Sequence, residues 1–157
     1  MDTIFWDLID SPIGRLLAGR TDAGVCLLSF GWEPFDGVHD PDALTDVREQ
    51  LGEYFAGERT SFDLPLDLSL ATGFTRRVLA ETARIPYGEV RTYGQVAEAI
   101  GAPRAARAVG GALNRNPVGI VVPCHRVVGS SGSLVGFGGG LHRKERLLEL
   151  EGALATA

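Results

Sequence analysis

The chain has 157 residues, of which 45% are hydrophobic and 22% charged, and its formal net charge is −5. This length buries one sizeable core or two small ones. It contains no apolar run of about 18 residues, which argues against a membrane-spanning helix, and the acidic start MDTIFWDLIDSP lacks the basic region of a signal peptide. We therefore expect a cytoplasmic protein with no membrane partner. Its two cysteines are too few for a disulfide framework or a four-thiolate zinc site.

Charge is distributed unevenly along the sequence. Residues 1–70 contain 14 acidic and 4 basic side chains, whereas residues 71–130 contain eight arginines and three glutamates. Because the local field decides what a protein face attracts, the overall acidity does not exclude an anionic partner for the second half.

The first half of the chain begins with predicted strands. The segments TIFWDLI, GRLLAGRT and GVCLLSF are apolar or alternating, and turn sequences separate them. The next segment, PDALTDVREQLGEYFAGE, has apolar residues at helical spacing and ends at Gly57. Pro65 excludes a helix from the extended segment that follows. We predict an N-terminal domain at residues 1–69, with an antiparallel sheet and a helix, in which Cys26 is a buried structural cysteine.

The second half, residues 70–157, is predicted to be mainly helical. The segment GFTRRVLAETARIPYGEV predicts a helix that stops near Pro86. In RTYGQVAEAIGAP, Thr92 and Gln95 form a capping-box pattern and Gly101 ends the helix. A second helix follows at once in RAARAVGGALNRN. Two short helices joined by a tight turn with glycine indicate a helix-turn-helix, although an ordinary helical hairpin has the same pattern.

The polar face of that second helix favours a phosphate-bearing neighbour. It carries Arg104, Arg107 and Arg115 beside Gly110 and Gly111. Glycine inside a helix costs about 1 kcal/mol relative to alanine, so the pair indicates that another backbone, protein or polynucleotide, comes close. Arginines on the same face favour the polynucleotide. The apolar stripe of the helix is predicted to be Ala105, Ala108, Val109 and Ala112.

A cysteine and a histidine stand side by side in GIVVPCHRVVGSSGSLVGFGGG, between an apolar run and a glycine-rich loop. A thiol attacks as thiolate, and its unperturbed pKa is about 8.5. We expect His125 and Arg126 to favour the thiolate of Cys124. Because neighbouring side chains of an extended strand point apart, the histidine acts through a water or faces another partner. A buried structural cysteine beside a hydrogen-bonded histidine is the alternative.

The last predicted helix, in LHRKERLLELEG, places two ionisable residues near its apolar stripe. Leu141, Leu147 and Leu148 mark the inward side, and Lys144 and Glu151 lie close to it in the helical repeat. A buried carboxylate is costly without a partner, so this one could orient the histidine in a thiol–imidazole–carboxylate relay. A lysine that extends to solvent and an exposed terminal glutamate fit the spacing equally well.

Two segments together resemble the alkylguanine-DNA alkyltransferase family, the direct-reversal DNA repair proteins: IPYGEVRTYGQVAEAIGAPRAARAVGGALNRNP and VVPCHRVVGSSGSLVGFGGGLHRKERLLELEG. The likeness is strong over residues 70–151 and only general before them. It implies an α+β protein with a ribonuclease-H-like supporting domain at 1–69 and a winged-helix-like, DNA-binding and alkyl-transfer domain at 70–157. It also implies a monomer that flips an O6-alkylguanine, or an O4-alkylthymine, out of duplex DNA. The alkyl group then moves irreversibly to the cysteine, once per molecule, with no cofactor and no metal.

The resemblance also implies roles for individual positions. Cys124 is the acceptor, His125 the water-mediated base, Glu151 the carboxylate that orients it, and Asn116 ties together the turns around the active-site strand. Tyr93 donates a hydrogen bond to the flipped base, Arg107 fills the vacated stack, and Lys144 lies beside the pocket. The other positions expected to contact DNA or substrate are Arg104, Gly110, Gly111, Arg115, Arg126, Val127, Phe137 and Gly138. Phe137 departs from the tyrosine of many family members and lacks its hydroxyl.

Two other functions remain open from the residues. A lesion-binding protein without chemistry fits the basic helix, although such relatives replace the cysteine that this chain has at Cys124. A cysteine hydrolase fits Cys124, His125 and Glu151, but it would turn over and would not need Arg107.

Overall fold

The computed structural model describes residues 2–31, 35–134 and 140–154. The chain forms two compact units, Met1–Leu68 and Ser69–Ala157. Within the described residues, no helix has the length and apolar character needed to cross a membrane.

The first unit contains a four-stranded sheet with the order β3-β2-β1-β4. Its strands are β1 Phe5–Ile9, β2 Leu16–Thr21, β3 Gly24–Ser29 and β4 Val38–His39. The first three strands are antiparallel, as predicted, but β4 pairs in parallel with β1. The sheet is therefore mixed. The sequence did not predict β4, because a two-residue strand is too short to leave a recognisable pattern. Gly24 is required where the chain returns to the sheet, since a Cβ there would lie 2.5 Å from the carbonyl oxygen of Pro65.

The predicted helix of the first unit is confirmed. A 3-10 turn at Pro41–Leu44 leads into α1, Thr45–Phe55. The Asp40 side chain accepts a hydrogen bond from the backbone N–H of Ala43 and caps the turn. The buried side of this segment consists of Leu44, Val47, Leu51 and Tyr54.

The second unit is mainly helical. Its elements in chain order are α2 Gly73–Thr82, β5 Arg91–Thr92, α3 Tyr93–Ala99, α4 Ala106–Asn114, a 3-10 turn Cys124–Arg126, β6 Val127–Val128 and α5 Leu141–Leu150. The short strands β5 and β6 pair in parallel, which joins the start of α3 to the chain segment just after Cys124.

Helices α3 and α4 form the predicted helix-turn-helix. Both bonds of the capping box are present: Thr92 Oγ1 accepts from the backbone N–H of Gln95 at 3.1 Å, and Gln95 Oε1 accepts from the backbone N–H of Thr92 at 2.8 Å. Gly101 ends the first helix with φ +77°. The buried stripe of α4 consists of Val109, Ala112 and Leu113.

Two predicted core positions are wrong. Ala108 of α4 is exposed, because it lies about a quarter of a turn from the centre of the buried stripe. Leu141 is 48% exposed because it is the first residue of α5 and lies almost one turn before Lys144, the first buried residue of that helix.

Candidate active site

The sequence predicts that Cys124 lies on an extended strand. In the structure it begins a 3-10 turn instead. The backbone N–H of Cys124 donates to the carbonyl of Val122 at 2.8 Å, and that of Arg126 donates to the carbonyl of Pro123 at 2.9 Å. Successive side chains of a 3-10 turn are separated by about 120°. Cys124, His125 and Arg126 therefore point in three different directions.

Asn116 fixes the loop that leads to this turn. Its Nδ2 donates to the carbonyl of Val122 at 3.0 Å, and its Oδ1 accepts from the backbone N–H of Val118 at 3.0 Å. The same side chain lowers the pKa of the Cys124 thiol, although burial outweighs this effect. A single amide thus ties Val118 to Val122, two residues before the sulfur.

The thiol of Cys124 is held mainly in its protonated form. Burial raises the pKa of Cys124 above its usual value and outweighs three opposing influences: the hydrogen bond from Asn116, the charge of Lys144, and the backbone N–H groups of Cys124 and His125. The groups that favour the thiolate are therefore Asn116, Lys144 and two backbone N–H groups rather than the side chains of His125 and Arg126, and burial has the larger effect. A nucleophile protonated at neutral pH needs a base to take its proton.

His125 has the properties of such a base. Its ring is fully buried, and Nε2 lies 2.8 Å from Oε2 of Glu151, whose side chain is also fully buried. Burial lowers the pKa of His125 below its usual value, although Glu151 opposes the shift. The ring is then neutral near pH 7, and a carboxylate beside Nε2 assigns the proton to that nitrogen. His125 Nδ1 is left with a free lone pair, because it has no hydrogen-bond partner among the residues that the structure describes.

Arg126, predicted to contact DNA or substrate, lies inside the unit with its guanidinium bonded to other residues of the protein. Its residue surface is only 7% exposed. Nε donates to Oε1 of Glu151 at 2.7 Å, one terminal nitrogen donates to Oε2 at 3.0 Å, and the other donates to the carbonyl of Ile85 at 2.6 Å. Val127, also predicted to contact DNA, has a fully buried side chain in β6.

Lys144 is fully buried, so the alternative of a lysine that extends to solvent is wrong. Its Nζ donates to the carbonyl of Val127 at 2.6 Å and lies 5.8 Å from the centre of the Tyr93 ring. Burial lowers the pKa of Lys144 to about 8, and the nearby Cys124 opposes the shift. The lysine therefore brings a positive charge to the sulfur at neutral pH.

Tyr93 begins α3 and forms another side of the site. Burial raises the pKa of Tyr93, and the negative charge that Cys124 can carry raises it further. The hydroxyl of Tyr93 therefore stays protonated. Gly110 of α4 lies beside its ring, where a Cβ would be 3.7 Å from the nearest ring carbon. That distance is an ordinary van der Waals contact, so packing within the protein does not require glycine at this position.

The predicted DNA-binding arginines lie in α4 or next to its two ends. Arg104, Arg107 and Arg115 are all exposed. Arg115 also donates to Oγ1 of Thr75 at 3.1 Å. A Cβ on Gly111 would be 3.6 Å from a terminal nitrogen of Arg115, again an ordinary contact. The glycine pair therefore leaves space for an external backbone.

Two predicted site residues, Phe137 and Gly138, lie outside the described residues. In the described part of the chain, no group of three or more His, Cys, Asp or Glu side chains could hold a metal ion.

Sequence reasoning missed the segment after α2 that surrounds Glu151. Ile85 accepts from Arg126, and the Tyr87 hydroxyl donates to the carbonyl of Leu150 at 3.3 Å. Gly88 has φ +82°, and a Cβ there would lie 3.3 Å from the carbonyl oxygen of Glu151. The Pro-Tyr-Gly sequence signals a turn, but nothing local shows that the turn packs against a residue more than 60 positions away.

Comparison with known proteins assigns both units to domains of one protein family. Residues 73–153 match the family model of the 6-O-methylguanine DNA methyltransferase DNA binding domain, and residues 4–68 match that of the ribonuclease-like domain. The methylated-DNA–protein-cysteine methyltransferase of Mycobacterium tuberculosis H37Rv is 51% identical over 160 residues, covering 98% of this chain and 96% of the relative.

Solved structures agree in fold. The crystal structure of Mycobacterium tuberculosis O6-methylguanine methyltransferase has a TM-score of 0.87 at 46% identity and covers 100% of this chain and 96% of that one. The complex of Mycobacterium tuberculosis OGT with DNA has a TM-score of 0.90 at 48% identity, covering 95% and 93%. The two family models match most of the chain, and the chain belongs to the 6-O-methylguanine DNA methyltransferase family.

Proposed function

We propose that this protein repairs DNA by moving the alkyl group of an O6-alkylguanine to Sγ of Cys124, once per molecule. The observation that carries the assignment is a part-buried thiol at Cys124, followed in the sequence by a buried imidazole whose Nε2 lies 2.8 Å from Oε2 of Glu151 and whose Nδ1 has no hydrogen-bond partner among the described residues. Membership of the methyltransferase family supports the reaction type. O4-alkylthymine, which presents an alkyl group on a similar exocyclic oxygen, is a second substrate.

The chemistry balances with the groups present and one bridging water. The thiol proton of Cys124 moves through the water to Nδ1 of His125, and Glu151 stabilises the imidazolium that forms. The sulfur attacks the alkyl carbon, an S–C bond forms, and the C–O6 bond breaks with its electron pair on the base. The proton held by His125 passes to the departing guanine, which leaves the imidazole neutral, and the protein keeps a neutral thioether at Cys124.

Lys144 and Tyr93 assist where charge develops. The ammonium group of Lys144 favours the transient thiolate, and the protonated hydroxyl of Tyr93 is a donor to the departing base. Donors already in place in a site that excludes water stabilise such charge effectively. No cofactor takes part in this scheme.

DNA binds through the exposed face of α4. Arg104 and Arg115 contact phosphates, Gly110 and Gly111 allow the strand to approach, and Arg107 enters the stack from which the base has left. Extruding a base costs a few kcal/mol, and a side chain that fills the gap offsets part of that cost. The solved complex of the Mycobacterium tuberculosis relative with DNA supports duplex DNA as the partner. Residues 1–69 support this domain, and the protein acts as a cytoplasmic monomer.

Counting turnovers distinguishes this function from the two alternatives. The protein is incubated with an excess of duplex carrying radiolabelled O6-methylguanine, and label on protein and repaired DNA are both measured. We expect at most one equivalent of repaired base per protein, all of it matched by protein-bound label. Release of several equivalents of labelled product would indicate a hydrolase, and binding without transfer would indicate a lesion-binding protein.

A further inference from the structure

Glu151 has more partners than a relay from carboxylate to histidine needs. Its Oε2 receives both His125 Nε2 at 2.8 Å and a terminal nitrogen of Arg126 at 3.0 Å, and its Oε1 receives Arg126 Nε at 2.7 Å. Every one of these groups is buried, and the Glu151 side chain has no exposed surface. Arg126 therefore donates two of these three hydrogen bonds to the carboxylate.

The guanidinium is itself fixed from the other side. Its remaining terminal nitrogen donates to the carbonyl of Ile85 at 2.6 Å, and its central carbon lies 5.8 Å from the centre of the Tyr87 ring. The Tyr87 hydroxyl also donates to the carbonyl of Leu150, the residue before Glu151. The turn after α2 thus orients Arg126, and Arg126 orients the carboxylate.

This arrangement decides which nitrogen of His125 carries the proton. An ionised Glu151 can only accept hydrogen bonds, so the nitrogen that faces it must be the donor and Nδ1 keeps its lone pair. A protonated Glu151 could instead donate to Nε2, which would move the ring proton to Nδ1 and remove the base. A buried carboxylate without a cation becomes protonated readily, whereas a two-point arginine pair keeps it ionised.

We infer that Arg126 is a positioning residue that keeps Glu151 ionised and thereby sets the tautomer of His125 in which Nδ1 accepts the proton of Cys124. The effect of Arg126 on alkyl transfer rests on the proposed function, whereas the tautomer of His125 does not. The other charged group that acts on His125 is Lys144, whose Nζ donates to the carbonyl of Val127.

The tautomer is measured directly in the unaltered protein by ¹⁵N NMR of its histidine rings. The chain has three histidines, and His39→Gln and His142→Gln assign the signals of the other two. We expect His125 to be neutral with its proton on Nε2 at pH 7 to 8. A proton on Nδ1, or a doubly protonated ring in this range, would overturn the inference, and neither result depends on alkyl transfer.

The variant Arg126→Met tests the cause, with Arg146→Met on the exposed face of α5 as the matched control. Because the variant loses the base when Glu151 is protonated, we expect transfer about 10²-fold slower at pH 6.5, a deficit that shrinks towards pH 9 as the carboxylate ionises. Its DNA affinity should match that of the control. In a protein that already carries Glu151→Gln, adding Arg126→Met should slow alkyl transfer little further.

Other results would count against the inference. An equal deficit at every pH, with the His125 spectrum unchanged, would show that Arg126 only supports the fold. If Arg126→Met does not fold, Arg126→Lys, which keeps the charge but loses the two-point contact, takes its place. It should show a smaller deficit with the same pH trend, and a pH-independent deficit would again contradict the inference. If the unaltered protein shows the expected tautomer but transfers no alkyl group, the proposed function fails separately.

Discussion

Replacing Lys144 by methionine is expected to make the protein more stable and to slow alkyl transfer. Methionine has a similar shape but no charge, and Lys144 is the only lysine in the sequence. In the folded protein Lys144 has no exposed surface, and burial is the main cause of its lowered pKa. The substitution removes this desolvation cost together with one positive charge beside Cys124.

The size of the effect follows from the pKa. A fall from 10.5 to about 8 corresponds to a cost of about 3 kcal/mol for the charged form, at about 1.4 kcal/mol per pKa unit. The loss of the hydrogen bond to the carbonyl of Val127 opposes this gain by about 1 kcal/mol. We therefore expect a net gain in the free energy of unfolding of about 2 kcal/mol at pH 7.

The sign of the pH dependence is fixed by linkage. Between pH 8 and 10.5 the unfolded chain binds more protons at Lys144 than the folded chain, so the stability of the unaltered protein rises with pH in that window. The advantage of Lys144→Met should be constant below pH 8 and should shrink by about 2 kcal/mol by pH 9.5.

The assay is urea unfolding at pH 7 and pH 9.5, with single-turnover transfer measured on the same samples. Arg146→Met, an exposed change on the same helix, is the control for losing a positive charge. Transfer by Lys144→Met should fall about 10²-fold, as when one group that stabilises transition-state charge is removed. A variant that is less stable at pH 7, or whose advantage grows with pH, would refute the reasoning.

Three further substitutions test other parts of the site. Arg107→Ala should weaken repair of paired duplex more than transfer from the free modified base, and equal losses in the two transfer assays would show that Arg107 does not fill the stack. Gly110→Ala should leave the free energy of unfolding unchanged or raise it by up to about 1 kcal/mol while weakening binding in a DNA titration; unchanged affinity would mean that the glycine does not serve the approach of DNA. Gly88→Ala should lower the unfolding free energy by about 1–3 kcal/mol, because φ is +82° and a Cβ would lie close to the Glu151 carbonyl; thermal and urea melts equal to those of the unaltered protein would contradict this.

Local signals predicted the elements whose causes are local. The capping box at Thr92 and Gln95 is present with both of its hydrogen bonds, and the helical repeat of the last segment places Lys144 and Glu151 inside as its inward positions. The capping box is decided within one helical turn, so its spacing alone reveals it, whereas the spacing of the last helix placed Lys144 and Glu151 near the apolar stripe and left their burial open.

Predictions from the sequence were wrong where contacts between distant residues determine the local conformation or the partners of a side chain. The extended reading of Cys124 fails because the 3-10 turn depends on the loop held by Asn116. Arg126 reads as a basic residue near a DNA site, yet its partners are Ile85 and Glu151, residues 41 and 25 positions away. The sequence also identified groups that favour a thiolate at Cys124, but only the structure shows that burial has the larger effect.

The proposed function depends on one step, the transfer of the alkyl group to the sulfur of Cys124. Peptide mapping by mass spectrometry after incubation with duplex O6-methylguanine tests it most directly, with Cys26→Ser as the matched variant that removes the other cysteine. We expect the mass gain of a single CH₂ unit on the peptide that contains Cys124, in both proteins, and none in Cys124→Ser, which should still bind the duplex. A methyl group on any other residue, or an unmodified Cys124 after complete repair of the DNA, would contradict it.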